Sequence, residues 1–511
     1  EITIGDWSSD VCSSDLSETV LSMNPYHLEG KYRDDLMNDS EHAIKGQKQL
    51  EKRASADYKP MYQRFVNEDV SFAKQYNSFY NSRLKEMKPR LITAAHQKWG
   101  ESISILDEIR HLQSHVDCVI IGTIYKDLSL FKSILNEKVS SAFNPQLIGT
   151  QFLPKSSLHG PLSQERDPII LEDTTTRIIL TSFPDPIVTG VVLAARGEMD
   201  DSGDFRVSSV CYLHDSLSPP IAIPSSSSPK DTFLLCVSGL SIGTSPSIRS
   251  QLLAGFVAAQ LGFVEDVKLV SRLARVVLLG NSAALPREPF QHIRQDAKVI
   301  ATVSTCVQNL DATLAQMLET APVTVVPGAT DATSCLVPQQ PLHPSLFPRC
   351  IRYSSLECAS NPYAATIGGK EMLMTAGQNV ADIARQVAPE VSTMEILERT
   401  LRWGCLFPTD PNTCPGIPYD TFDPFIISEL PDVYVVGNQD RFEVERRRIG
   451  EKEVTLITLP SFASSGIAVM VNLRTLEALP VEFDTMDMEK GEMEVEEKKE
   501  EEEVIIDEDM A

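Results

Sequence analysis

Residues 233–243 read FLLCVSGLSIG, an apolar run that stops at two glycines bracketing a serine. A short continuous run of this kind suits a strand buried on both faces, and the glycines permit a tight turn at its carboxyl end. The pattern recurs downstream. LLGNSAA ends the run at 276–279, VPGATDA the run at 323–326 and VVGNQDR the run at 433–436, while MTAGQNV closes a hairpin that turns over Gly368-Gly369. Between them 251–261 reads as a helix, and Val299, Val303, Val307, Leu310, Leu314 and Leu318 mark the stripe of a longer one. Further strands are expected at 454–459 and 467–473. Strands alternating with helices predict a layered α/β domain over residues 231–480.

Upstream the period changes. Short runs rich in Val and Ile at 118–125, 169–171, 178–181, 188–195 and 205–212 are separated by turn signals, which predicts a small β-barrel over 116–215. The succession LEDTTTRIIL, VTGVVLAARGEM, DFRVSSVCY resembles an OB-fold, here without the aromatic platform on which such barrels stack bases. A partner protein is therefore its expected ligand. Residues 71–115 are expected to be helical, with Phe72, Tyr76, Phe79, Leu84 and Met87 at helical spacing and Pro89 interrupting or kinking the run. Residues 216–230, SLSPPIAIPSSSSPK, read as a hinge between the two domains. Residues 1–70 are expected to lack fixed structure. Within them 6–16, DWSSDVCSSDL, is what a sequencing adapter encodes in one reading frame, the alternative being a Ser-rich N-terminal tail; no methionine precedes Met23, which makes it a candidate start.

The chain has 511 residues and a net charge of −25. Residues 482–511 hold 15 acidic and 3 basic residues, and 481–511 is expected to be a disordered acidic tail. So acidic a chain lacks the basic surface that displaces counterions from DNA, and nucleic acid is expected to be met mainly through a partner. No apolar stretch reaches the length of a membrane span, and the polar, acidic start does not read as a signal peptide. Ten scattered cysteines without a C-x-x-C pair suggest reduced thiols.

Two motifs suggest chemistry at first sight. Gly239-Leu240-Ser241-Ile242-Gly243 matches G-x-S-x-G, the nucleophile elbow of serine hydrolases. A base is needed as well, and only His292 and His343 follow, the latter between prolines with Asp331 upstream. The glycines are more simply explained by the turn. Gly368-Gly369-Lys370 lacks the upstream glycine and the Ser/Thr of a P-loop and reads as a hairpin turn.

The five strand ends, taken in order, resemble those of metallophosphoesterases, which carry D-x-H, G-D-x-x-D, G-N-H-[DE], a lone His and G-H-x-H. On that resemblance Gly239 and Ser241 stand where an Asp and a His belong, Asn281 replaces an Asp, and Ala329 and Thr330 replace the Asn-His pair. Asn438 and Asp440 occupy the last two His positions, and only Asp331 survives. Two cations need several carboxylates and imidazoles around them. The expectation is a vestigial site with no metal, no cofactor and no catalytic residue.

A barrel, a hinge and a ligand-stripped phosphoesterase together resemble the B subunits of replicative DNA polymerases. VPQQPLHP, NPY, TAGQNV, DPF, FAKQYNSFYNSRL and HQKWG are similar to the delta type. The implied fold class is α+β and multi-domain: an OB-fold barrel plus a layered α/β, metallophosphoesterase-like β-sandwich. The resemblance implies a nuclear, non-catalytic scaffold in replication and repair. It would join the cysteine-rich C-terminal module of the DNA polymerase delta catalytic subunit to a further accessory subunit, and serve polymerase zeta as well. A B subunit of polymerase alpha or epsilon, an active 3′–5′ exonuclease and a free single-strand binder are the competing readings.

Overall fold

The computed structural model describes residues 53–67, 76–130, 161–164, 167–215, 231–245, 247–261, 264–285, 297–419 and 421–483. The adapter-like stretch 6–16, the hinge 216–230, His292 and the tail from 484 onward lie outside the described residues.

The barrel is built from β2 (Cys118–Lys126), β3 (Ile169–Glu172), β4 (Arg177–Thr181), β5 (Val192–Met199) and β6 (Phe205–Cys211). It closes in the order β2-β3-β4-β6-β5, with β4 and β6 parallel, which is the Greek-key closure of an OB-fold. Helix α1 (Tyr76–Trp99) lies against it, burying Leu84, Met87, Leu91 and Ala95 on Val119, Ile121 and Ala194. Pro89 sits inside α1 without ending it, because the helix is held along the barrel by this apolar face. The expected helical span is thus shorter than 71–115: after Trp99 only a single 3-10 turn, Ile109–His111, follows.

The second domain is a sandwich of two six-stranded sheets. One has the order β10-β9-β8-β7-β16-β17, from β10 (Leu356–Cys358), β9 (Val323–Val326), β8 (Leu273–Leu279), β7 (Phe233–Val237), β16 (Ile467–Asn472) and β17 (Ala478–Glu482). The other has the order β1-β11-β12-β13-β15-β14, from β1 (Tyr58–Pro60), β11 (Tyr363–Ile367), β12 (Lys370–Thr375), β13 (Val433–Gln439), β15 (Lys452–Pro460) and β14 (Glu443–Ile449). Between the sheets, Leu234, Cys236, Val277 and Leu279 meet Met372, Met374, Val433 and Ile457. Burial on both faces explains the unbroken apolar runs. Helices α2 (Ile248–Val257), α3 (Val264–Ser271) and α4 (Ala297–Leu318) accompany the first sheet, with α2 and α4 packed on its outer face. Helices α5 (Gln378–Ala384) and α6 (Thr393–Trp403) cover the other sheet, and a single turn, α7 (Phe462–Ser465), precedes β16.

Two expectations need correction. Residues 1–70 do not all lack structure: β1 pairs with β11, and Arg53 donates to the carbonyls of Val257 and Leu273 (3.0 and 3.1 Å). The tail does not begin at 481, since Val481 and Phe483 are buried, and Phe483 packs on Phe256 and Phe462. The barrel and sandwich also pack directly on each other. Barrel residues Ile120, Leu193 and Phe205 belong to one apolar cluster with Leu397, Trp403 and Phe407 of the second domain.

A buried ion pair crosses that junction. Arg83 on α1 bonds Asp423 at 2.6 Å, with both side chains wholly buried. Its remaining nitrogens donate to the carbonyls of Gly190 (3.0 Å), Pro408 (2.9 Å) and Phe407 (3.3 Å). Burial alone would lower the Arg83 pKa, but the Asp423 carboxylate outweighs it and the net direction is upward. Gly190 is required here: its φ is +87°, and a Cβ would stand 1.8 Å from the Pro408 carbonyl oxygen.

Candidate functional site

In open sheets with parallel strands, ligands bind at the carboxyl ends of the strands. Here β7, β8, β9, β12 and β13 deliver Gly239, Asn281, Asp331, Ala376 and Asn438 to one such crevice. Parallel pairing of β7-β8-β9 in one sheet and β12-β13 in the other aligns these ends. Three of the side-chain-bearing positions have left-handed backbone: Ser241 (φ +47°), Asn281 (+54°) and Asn438 (+55°). Each marks the sharp exit of the chain from a strand or its loop, where Asn is tolerated better than most residues.

The side chains are bonded to one another and to the backbone. Asn281 donates its amide to Asn438 Oδ1 at 3.0 Å, and its own Oδ1 accepts from the Thr330 N–H at 3.0 Å. Asn438 Nδ2 donates to the Ala376 carbonyl (2.9 Å), and its N–H donates to Ser238 Oγ (2.8 Å). Thr330 Oγ1 donates to the Ala283 carbonyl at 2.8 Å. Asp331 is buried and accepts from the N–H groups of Ala283 and Gly328, both at 2.8 Å. Burial raises its pKa to about 6, against the lowering effect of the surrounding backbone N–H groups. Gly239 has no room for a side chain: with φ +63°, a Cβ would lie 2.5 Å from Ser461 Oγ and 2.9 Å from Asn438 Oδ1.

A second layer of amides continues this network. Asn361 Nδ2 donates to Gln339 Oε1 and to Gln378 Oε1, both at 2.9 Å, and Gln378 Nε2 donates to Gln339 Oε1 at 2.8 Å. Gln339 Nε2 reaches the Gly328 carbonyl (3.1 Å), and Asn361 Oδ1 accepts from the Ala376 N–H (3.0 Å). The strings PQQP, NPY and GQNV, far apart in sequence, therefore meet behind the strand ends. Sequence reasoning missed that they form one network, although the amide in each string was visible.

Not every expected site residue takes part. Ala329 and Asp440 are exposed, and Ser241 Oγ makes only a long contact with the Asn281 carbonyl (3.5 Å). His343 engages Ser345 Oγ at 2.6 Å on an exposed turn, and Asp331 is committed to backbone N–H groups, so neither orients a base toward Ser241. The hydrolase arrangement is not assembled by these residues. Among the described residues no group of three or more His, Cys, Asp or Glu side chains could hold a metal ion. The crevice offers amides turned toward each other and one carboxylate turned toward backbone N–H groups. Such a set does not fit a pair of divalent cations.

Matches to known proteins follow the same division of the chain. Residues 75–210 match the family model described as the OB-fold domain of the DNA polymerase delta subunit, and residues 234–444 match that of the B subunit of DNA polymerase alpha/epsilon. The DNA polymerase delta small subunit of Oryza sativa subsp. japonica is 33% identical, the alignment covering 85% of this chain and 99% of the relative. DNA polymerase delta subunit 2 of Drosophila melanogaster is 31% identical over 84% of this chain and 98% of its own. The DNA polymerase delta small subunit of Saccharomyces cerevisiae is 26% identical over 81% and 90%. A solved archaeal phosphodiesterase aligns with 49% of this chain at 10% identity and a TM-score of 0.23, too slight a likeness to argue from.

Proposed function

The chain belongs to the family of DNA polymerase delta small subunits, and from that premise we propose that it acts as a scaffold whose sandwich domain is a phosphoesterase-like fold with its metal ligands replaced. Its role as a non-catalytic accessory subunit in DNA replication follows from family membership. The observation that carries the reading of the sandwich is the closed amide network at the strand ends. Where a two-metal hydrolase needs ionised side chains open to substrate, Asn281 and Asn438 bond each other and Gly239 leaves no space. Gly239, Ser241, Asn281, Ala329, Thr330, Asp331, Asn438 and Asp440 are the vestiges of that site.

A protein without chemistry acts through its surfaces, and a rigid β-rich body presents them at small ordering cost. We assign one surface to the cysteine-rich C-terminal module of the delta catalytic subunit and another to a further accessory subunit. The same body would serve polymerase zeta. The setting is the nucleus, in replication and repair. The net charge of −25 supports contact with DNA mainly through these partners.

Pull-down of the catalytic subunit's C-terminal module by the full chain tests the proposal. Retention in about 0.5 M salt is expected, because an obligate interface is large and apolar. Failure to bind it, with binding to an alpha or epsilon module, would overturn the delta assignment of partners. For the site, manganese-dependent hydrolysis of a nitrophenyl phosphodiester that is lost in Asp331→Ala would refute the replaced-ligand reading.

A further inference from the structure

Edge strands β14 and β17 flank the same open side of the sandwich, because their neighbours β15 and β16 face each other across it. Among the described residues no strand pairs with the outer edge of β14. In a chain of net charge −25, residues 441–452 carry five basic and three acidic side chains. Arg441, Arg446, Arg447 and Arg448 are all exposed. Arg447 turns toward α6, near Glu398 (4.0 Å), and Arg446 and Arg448 take the alternate face. Arg446 donates to the Thr475 carbonyl (2.5 Å) in the turn that joins β16 to β17. Charge on an open edge discourages pairing with other chains. That accounts for charged residues there but not for their sign in so acidic a protein.

The acidic tail leaves from the end of β17, the edge strand of the facing sheet. Phe483 directly follows β17, and residues 484–511 hold 14 acidic and 3 basic side chains. Facing sheets stand roughly 10 Å apart, and a segment of this length reaches up to about 90 Å when extended, so distance imposes no limit. We propose that residues 484–511 dock by charge along the outer edge of β14, against Arg441, Arg446 and Arg448, and screen this strip from other polyanions. Single exposed ion pairs are weak, but the tether holds many carboxylates near few arginines at high effective concentration. Salt dissolves such a contact.

A lysine-specific endopeptidase provides the test, because Lys490, Lys498 and Lys499 lie within the tail. The cleavage rate of the full chain there is divided into that of the isolated peptide 484–511, which gives the intrinsic rate. Protection of about five-fold or more is expected at ~50 mM salt, falling to about one at ~500 mM. It should vanish in Arg441→Glu/Arg446→Glu/Arg448→Glu and persist in the equally charged control Lys85→Glu/Arg110→Glu/Arg177→Glu on α1 and the barrel side. Should the arginine variant misfold, tail-side substitution of Glu500–Glu503 by Gln, compared with its own peptide, must lower protection instead. Equal cleavage of chain and peptide at low salt, or protection unchanged by both sets of substitutions, would overturn the proposal.

Discussion

Two polar regions, one wholly buried and one partly so, hold this molecule together by different means. At the domain junction Arg83 and Asp423 form an ion pair with no exposure to water, and four backbone carbonyls, of Gly190, Pro408, Phe407 and Asp410, take the remaining guanidinium hydrogens. At the strand ends neutral amides and hydroxyls bond one another, with Asp331 as the single carboxylate. A buried charge left without its partner is far more costly than an amide that loses one bond. The junction should therefore be brittle and the crevice graded. Loss of the first strikes the junction of barrel and sandwich, whereas loss of members of the second loosens one end of one domain.

The largest effect is expected at Arg83. Arg83→Ala leaves Asp423 buried and unpaired, which should cost about 3–5 kcal/mol, read as a drop in the urea midpoint of unfolding. Arg83→Met with Asp423→Leu should recover much of that loss, since apolar replacement removes the orphaned charge. If the single variant loses less than about 1 kcal/mol, the pair is no anchor and the contrast between the regions fails.

Next come the amides. Asn438→Ala removes the side-chain bonds to Asn281 and Ala376 but keeps the backbone bond to Ser238, so the effect should stay local. A cost of about 1–3 kcal/mol is expected, part of it from placing alanine at φ +55°. A double-mutant cycle with Asn281→Ala should return a coupling of roughly 0.5–3 kcal/mol. Strict additivity would mean that the two amides do not act as one network.

The difference between the regions also explains what could be read in advance. The five strand ends were legible because a strand buried on both faces is apolar without a break and its exit demands glycine or asparagine, as at Gly239, Gly280 and Asn438. The amide network was not, because Gln339, Asn361 and Gln378 come from separate loops and nothing local distinguishes a bonded amide from a solvated one. Arg83 was hidden for a similar reason: an arginine on a helix is ordinarily exposed, and only the opposing domain supplies its partners. Strand β14, EVERRRI, has the charge density of a loop and is a strand because β15 pairs with it along its whole length. Helix α6 was readable and overlooked. Ser392 accepts from the Glu395 N–H (3.2 Å) and Gly404 closes the helix in left-handed conformation, the two ends of an ordinary capping signature.

A smaller effect separates Asp331 from its amide neighbours by pH. Its folded pKa of about 6 lies above the ordinary carboxylate value, so the folded chain binds this proton more tightly than the unfolded one. The resulting stabilisation is full below the unfolded pKa and is lost as pH rises to about 6. Over that window the melting temperature of wild type should fall relative to that of Asp331→Asn, which lacks this component. The same slope in both proteins would show that the backbone N–H groups of Ala283 and Gly328 compensate the carboxylate fully.

The smallest effect is expected where charge is densest along the chain. Deleting residues 484–511 removes 14 acidic side chains and none of the described core, so the melting temperature should shift by no more than about 1–2 °C. Deleting one residue more removes Phe483, which is fully buried against Phe256 and Phe462. Loss of a buried aromatic costs about 3–5 kcal/mol, enough to lower the melting temperature by several degrees or more. The pair of truncations places the boundary between fold and tail at a single residue. It also ranks the energies: exposed carboxylates next to arginines contribute little to stability even if they dock, whereas losing one ring from the core costs about as much as orphaning Asp423. A drop of roughly 10 °C on removing 484–511 alone would mean that the tail is part of the folded body, and the division between packed and solvated charge would have to be redrawn.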